Sequence, residues 1–468
     1  MSVATALEPT PQRFRPSAPV PHTHTPTTIR FLVDLARNPI EAFGQYAYHE
    51  PYVYKRSWIR HLLMVNDPDG VRHVLLDNAS NYVKSDQAVK RVRPVAGNGL
   101  LTAEGASWRF QRRTAAPIFQ MRKVAGFTPE MTSATLAMLS RWGTLGDNAV
   151  VDIGEEMMRL TFDIISRTVF SNEITTDYGK IAHSMATYLD NLGRITIPDV
   201  MGLPGWFPTP GRLRARPAIS FFRKELGVLI DRRRERLERD PKSVPDDLLT
   251  LLLTAKDPEE GALFSEAEVY DNVSTFVLAG HETTANALTW TFYLLSQFAD
   301  HDASVAREVQ GTLKTDGATS DDVSSLPFTR AVIEESMRLY PPAPIFARDS
   351  VNGDNVGGVE IEPRTAIMIA PWVIHRHRKL WDAPDYFMPE RFAPGVREKI
   401  NRFAYIPFGG GPRICIGMAF AMQEAIVILS TIARRYRLEL LPNQKVEPLA
   451  RITLRPRYGL KMKVVKRT

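Results

Sequence analysis

A single thiol, Cys415, serves a chain of 468 residues. It stands in Phe408-Gly409-Gly410-Gly411-Pro412-Arg413-Ile414-Cys415-Ile416-Gly417, just before an apolar, helix-forming run. Consecutive glycines let a backbone approach something flat. At the entry to a helix, unpaired N–H groups and the helix dipole favour a thiolate. The position therefore suits a lone thiolate ligand, with Arg413 two residues away to meet an anionic group. The plain alternative is a buried structural cysteine in a tight turn. A phosphate-cradling loop is disfavoured, because no lysine follows the glycines and no GxGxxG is present. With one cysteine, an intramolecular disulfide and a cysteine-built zinc site are both excluded.

A second constellation is Ala279-Gly280-His281-Glu282-Thr283-Thr284. Glycine and adjacent threonines are poor choices inside a helix, so something other than propensity places them there. A carboxylate beside a hydroxyl can relay protons; the plain alternative is a threonine bonded back into its own helix. His281-Glu282 begins like a zinc-protease HExxH, but the fifth position is Ala285. His375 and His377 suggest a metal pair, although surface residues of a loop are the simpler expectation. Glu335 and Arg338 lie at i and i+3 on one helix face.

The elements that must hold these groups are mostly helical. Apolar periodicity predicts helices near 30–48, 68–78, 106–116, 128–143, 153–170, 178–194, 216–239, 246–255, 265–298, 301–314, 328–340 and 416–435. Strands are expected at Tyr52–Lys55, Leu62–Val65, Val359–Ile361, Ala366–Ile369 and Ile452–Val465, so the β region draws on both halves of the chain. Ser265-Glu266-Ala267-Glu268 fits a capping box and opens a run without proline to about Gln297. That run is roughly 50 Å long at about 1.5 Å per residue. Residues 380–415 read as an ordered, irregular stretch of the kind that carries function. No internal repeat and no alternating βα pattern occur, which argues against a doubly wound sheet. Residues 1–30 read as an extended proline-rich leader and 31–468 as one domain. Against 52 acids stand 59 basic residues, a net charge of +7. The densest basic run, Arg232 to Arg236, alternates with acids and is expected to be a solvated helix face, so nucleic acid is not an expected partner. No apolar run is long enough to span a bilayer, and a cytoplasmic, monomeric protein without a transmembrane anchor is expected.

The cysteine loop resembles the heme-binding signature of the cytochrome P450 family, Phe-x-x-Gly-x-Arg-x-Cys-x-Gly. Glu335-Ser336-Met337-Arg338 is similar to the family's Glu-x-x-Arg, and Ala279 to Thr284 to its distal-helix motif. Pro389-Glu390-Arg391-Phe392 and Trp108-Arg109-Phe110-Gln111-Arg112 resemble two further segments. All five occur in family order.

The resemblance implies a mainly α fold with a small β region, holding heme b between the long distal helix and the helix after the cysteine loop. It implies Cys415 as the axial ligand of the iron, with Phe408 beside the sulfur and Gly417 admitting the porphyrin. Thr283 and Glu282 become the oxygen-activation pair, and Ala279 borders the cofactor. Arg413, Trp108, Arg112 and Arg348 are expected at the propionates. Glu335, Arg338 and Arg391 become a structural clamp. Position relative to these motifs nominates Leu100, Leu101, Phe276, Ala279, Ala343, Ile345, Phe346 and Ile452 as contacts for a hydrophobic substrate. The implied activity is a monooxygenase using O2, with electrons from an acidic ferredoxin or flavodoxin and its NAD(P)H reductase. Such a donor would meet Arg113, Lys123, Arg376, Arg378, Lys379 and Arg402. A peroxide-using or rearranging relative, or a non-enzymatic heme protein, is the alternative.

Overall fold

The computed structural model describes residues 14–467 apart from residue 25, residues 57–60 and the greater part of 174–208. The helix expected at 178–194 lies largely outside the described residues, as do the first 13 residues of the leader. The longer helices are α1 (Thr28–Arg37), α2 (Asp86–Ala96), α3 (Gly105–Ala115), α4 (Thr128–Thr144), α5 (Ile153–Phe170), α6 (Pro210–Arg239), α7 (Leu248–Thr254), α8 (Glu266–Gln297), α9 (Ala299–Thr312), α10 (Pro327–Leu339) and α11 (Met418–Ala433).

Helix α8 is the axis of the fold. Its capping box forms: the Glu268 N–H donates to Ser265 Oγ at 3.3 Å and the Ser265 N–H to Glu268 Oε2 at 2.9 Å. From Asn272 onward nearly every side chain is buried, as an all-round apolar sequence requires. It packs against α5, α10 and α11. In the core, Trp290 stacks on Tyr340 with ring centroids 4.0 Å apart, surrounded by Leu288, Leu294, Ile428 and Leu429.

The main sheet has the order β1-β2-β8-β5-β3, with β1 at Tyr52–Lys55, β2 at Leu62–Val65, β3 at Tyr82–Lys84, β5 at Phe346–Ser350 and β8 at Ala366–Ile369. Only the β2–β8 pair is parallel. A second sheet joins β4 (Val150–Asp152), β12 (Lys461–Lys466) and β9 (Tyr436–Leu440).

Some expectations needed correction. The helix expected over 30–48 ends at Arg37, because Pro39 forces Asn38 into extended backbone (φ −161°, ψ 103°); two 3₁₀ turns follow. The C-terminal strand is broken between Pro456 and Gly459, whose φ is +72°. Helix α2 was not foreseen. Arg233 is not solvated: it is buried in an ion pair with Asp247 at 2.5 Å and Glu173 at 2.8 Å. His375 and His377 are both buried rather than at the surface. His375 Nε2 accepts the Ile406 N–H at 2.9 Å, and no metal-binding group forms among the described residues. The described part of the leader, before α1, lies along the body; there Tyr340 Oη donates to the Ser17 carbonyl at 2.8 Å.

Candidate active site

The cysteine loop folds back on itself: the Cys415 N–H donates to the Phe408 carbonyl at 2.9 Å. Gly409 and Gly411 sit at φ +73° and +66°, and a Cβ on Gly411 would lie 1.8 Å from the Leu75 carbonyl oxygen. No other residue fits there. The Cys415 side chain borders open space yet is ringed by protein. Burial pushes its thiol up, while the Gly417 N–H and the Arg112 cation pull it down. A Cβ on Gly417 would meet no protein atom, so protein packing does not demand glycine at that position.

In the middle of α8 the side chains are buried apart from Ala279, which is exposed, and Phe276, Gly280 and Thr283, which are part-exposed. Ala279 and Cys415 are both exposed, and α8 packs on α11, the helix that follows the cysteine loop. The Thr283 hydroxyl donates to the Ala279 carbonyl at 2.7 Å, so its hydrogen is committed and its lone pairs remain. Glu282 is buried and accepts from Thr453 Oγ1 at 2.7 Å.

Cations collect beside the loop. Arg413 ion-pairs with Glu104 and lies 4.3 Å above the Trp108 ring. Arg348 on β5 is lowered to about 10, by burial first and then by Arg413. Lys84, its partner in the β3–β5 register, donates to the Leu100 and Ala103 carbonyls at 2.9 and 3.1 Å. Burial and Arg413 bring Lys84 down to about 7 against the opposing pull of Glu104. Three cations thus gather around one carboxylate, and Arg112 stands one turn beyond Trp108 on α3. Lys84 and Glu104 escaped the sequence reading. Their only signal is cross-strand register, which a lone lysine in a short strand does not reveal.

Glu335 and Arg338 are fully buried and doubly bonded, both contacts 2.7 Å. Arg338 also donates to the His375 and Pro384 carbonyls at 2.7 Å and the Tyr386 carbonyl at 2.9 Å. Arg391 Nε lies 3.6 Å from Glu335 Oε1, an ion pair without a hydrogen bond at that nitrogen.

The nominated substrate contacts are distributed over three apolar clusters and their borders. Phe276 and Ile452 pack against one apolar cluster, and Phe276 meets Phe119 edge-on at 5.1 Å. Ile345 packs against the central core and Phe346 against the β-sheet core. Leu100 is buried with its N–H on Asn272 Oδ1 at 3.0 Å, Leu101 is exposed and Ala343 is half-buried.

Residues 41–464 match the cytochrome P450 family model. The chain belongs to the cytochrome P450 family. It is 32% identical to cyclooctatin synthase of Streptomyces melanosporofaciens, over 90% of each chain. It is 30% identical to pentalenene oxygenase of Streptomyces avermitilis, over 93% of this chain and 94% of that one. A solved cytochrome P450DA heme domain superposes with a TM-score of 0.84 at 26% identity, covering 96% of this chain and 98% of the other. The mainly α fold with small sheets is therefore the P450 fold, and the protein is a heme-thiolate monooxygenase, an oxidoreductase that incorporates oxygen. Like other P450s it uses redox partners and a substrate. No helix among the described residues is long and apolar enough to cross a membrane.

The residues present fit a heme. The lone thiol is exposed, Ala279 is the exposed position in the middle of the distal helix, and the part-buried basic groups of Lys84, Arg348 and Arg413, gathered about the single Glu104 carboxylate, suit two propionates.

Proposed function

We propose that this P450 oxygenates a hydrophobic small molecule, with heme b as cofactor and electrons from an acidic ferredoxin or flavodoxin served by an NAD(P)H reductase. The observation that carries the proposal is the pairing of a lone thiol in a glycine-shaped loop with an acid and a hydroxyl on the facing helix. Cys415 would be the protein's thiolate ligand to the heme iron. Phe408 and Gly417 flank it, and Arg413, Trp108, Arg112, Arg348 and Lys84 hold the propionates. When bound, heme supplies the redox-active iron at which dioxygen is activated.

The chain's own groups orient and deliver protons. Thr283 offers acceptor lone pairs to a proton-bearing molecule at the distal face, its hydrogen being held by Ala279. Glu282 takes protons from the solvent side and passes them inward. Glu335, Arg338 and Arg391 fix the stretch before the cysteine loop without touching substrate. Apolar Leu100, Leu101, Phe276, Ala279, Ala343, Ile345, Phe346 and Ile452 supply the candidate substrate surface. Two relatives are named for pentalenene and cyclooctat-9-en-7-ol, which supports a compact, hydrocarbon-rich substrate. We place the protein in the cytoplasm as a monomer.

The test is product formation from a panel of terpenes, steroids, fatty acids and aromatics. NAD(P)H with surrogate donors is compared with peroxide alone. Substrate-induced shifts of the ferric Soret band identify the binders first. Thr283→Ala should keep heme content and substrate shifts while product formed per NAD(P)H consumed falls severalfold. Product from peroxide alone, or an unchanged ratio in Thr283→Ala, overturns the oxygen-activating role.

A further inference from the structure

Both members of the acid–hydroxyl pair are engaged elsewhere in this conformation. Thr283 gives its hydrogen to the Ala279 carbonyl at 2.7 Å. Glu282, only 3% exposed, points to another element: its Oε1 accepts from the Thr453 hydroxyl at 2.7 Å. Asn286, one turn further along α8, donates to the same Thr453 oxygen at 3.3 Å. Thr453 is itself buried, so this is an interior contact, not a surface one.

Thr453 sits in a tight turn with firm ends. On one side the Ala450 N–H donates to Asn38 Oδ1 at 2.9 Å. On the other, the Leu454 N–H donates to the Pro342 carbonyl at 3.0 Å, and Trp290 Nε1 donates to the Leu454 carbonyl at 3.0 Å. Between these anchors the Arg451 N–H closes onto the Thr453 carbonyl at 2.9 Å. The tip therefore carries Ile452 and Thr453 side by side. Ile452 is half-buried and packs with Phe276 against the same apolar cluster. A molecule pressing on Ile452 moves the residue next to Thr453, which bonds the acid. The fixed ends confine that movement to the tip.

We propose that Thr453 is a positioning residue that stores the Glu282 carboxylate on the C-terminal turn and releases it when substrate displaces Ile452. This rests on the proton-relay role of Glu282 argued above. Released, the carboxyl group carries a proton taken from solvent to the cavity side of α8. The electrons for the reaction still come from NAD(P)H through the donor. Storage keeps proton delivery shut while no substrate is present, so that reducing equivalents are not spent on oxygen alone.

Thr453→Val keeps the side-chain shape and removes the hydroxyl; Thr453→Ser restores it. In Thr453→Val, substrate-free NAD(P)H oxidation should rise about three- to tenfold, the equivalent of one hydrogen bond's net contribution. Product per NAD(P)H should fall, and Thr453→Ser should return both to the starting values. A second measurement needs no turnover. In the ferric protein, substrate addition should shift a carboxyl infrared band that Glu282→Gln removes, and Thr453→Val should abolish the shift. Heme content and thermal midpoint show whether each variant is folded. If Thr283→Ala uncouples as expected while Thr453→Val matches the unsubstituted protein in oxidation and band shift, the storage role is wrong and the relay stands. If Thr283→Ala has no effect, the relay itself fails. A uniform loss of activity not restored by Thr453→Ser would make Thr453 merely structural and overturn the proposal.

Discussion

Cys415 shows how far one residue can be read. Its uniqueness and its glycine-rich approach were visible in the chain, and the structure adds why the glycines are needed: Gly411 runs against the Leu75 carbonyl at a positive φ. If Cys415 is the thiolate ligand, the reduced, carbon-monoxide-bound protein absorbs at the long wavelength characteristic of thiolate ligation. No other residue can substitute, so Cys415→Ser should eliminate that band. Persistence of the band would remove Cys415 from the site. Other residues were not legible. Lys84 and Glu104 join Arg413 only through folding, and Thr453 reaches Glu282 across 171 positions of chain. A motif shows neighbours along the chain, whereas these contacts are made across it.

At the scale of elements, the legible ones had a local cause. Four strands, β1, β2, β8 and the Val359–Ile361 strand, and the helix α5 have the expected bounds, since their apolar patterns and flanking breakers agree. Helix α2 was missed because its sequence, Asp86 to Ala96, is polar and contains Pro94; packing on α8 and the β5 strand supports it. The clamp on α10 was legible as the Glu335–Arg338 pair with Arg391, but not as a hub for backbone carbonyls. Arg338 satisfies three carbonyls from 375 to 386 as well as Glu335, so it ties α10 to the irregular stretch that leads to the cysteine. Arg338→Leu leaves Glu335 as a buried carboxylate with only Arg391 and the Met388 N–H nearby. Breaking such a pair costs about 3–5 kcal/mol. The variant should purify with little heme and unfold at much lower urea. Heme per chain and the urea midpoint together check this; normal values for both would show that the clamp is dispensable.

Over the whole molecule, two properties emerge that no motif states. The first is acid sensitivity. Burial lowers His281 from 6.5 to about 4 and His375 to about 3, in His375 with help from the Arg338 and Arg376 cations. Unfolding exposes both rings to their ordinary protonation, so the unfolded chain binds more protons below pH 6.5 and stability falls as pH drops towards 4. Each ring contributes a slope of about 1.4 kcal/mol per pH unit in that window. His377 is lowered as well, while burial lifts Glu424 to about 8 and opposes the histidines over the same range; urea midpoints from pH 7 to 4.5 should show the net fall, and His281→Gln should make it shallower. The second property is the surface that would meet an electron donor. Of the six basic residues nominated from sequence, Arg376 is buried against Trp372, 3.7 Å from the ring centre. Arg113 is bound to Asp257 and Glu259, and Arg378 to Asp385. Lys123, Lys379 and Arg402 stay exposed. Lys123 belongs to the short helix Met121–Ala125, which packs on α11, and Arg402 adjoins Phe403, which touches the cysteine loop near Gly410. Both thus adjoin elements next to the cysteine loop, and Met121 on the same short helix as Lys123 is 67% exposed. An acidic donor docking there is steered by these charges, and exposed charges are screened beyond about 8 Å at physiological salt. Reversing Lys123 and Arg402 to Glu should slow first-electron transfer and flatten its salt dependence, while substrate-induced Soret shifts stay unchanged. Arg113→Glu should instead act on stability, because it frees Asp257 from its partner. Stopped-flow reduction over a salt series separates the two outcomes: a rate indifferent to both salt and the Lys123 and Arg402 reversals would mean that the donor docks elsewhere.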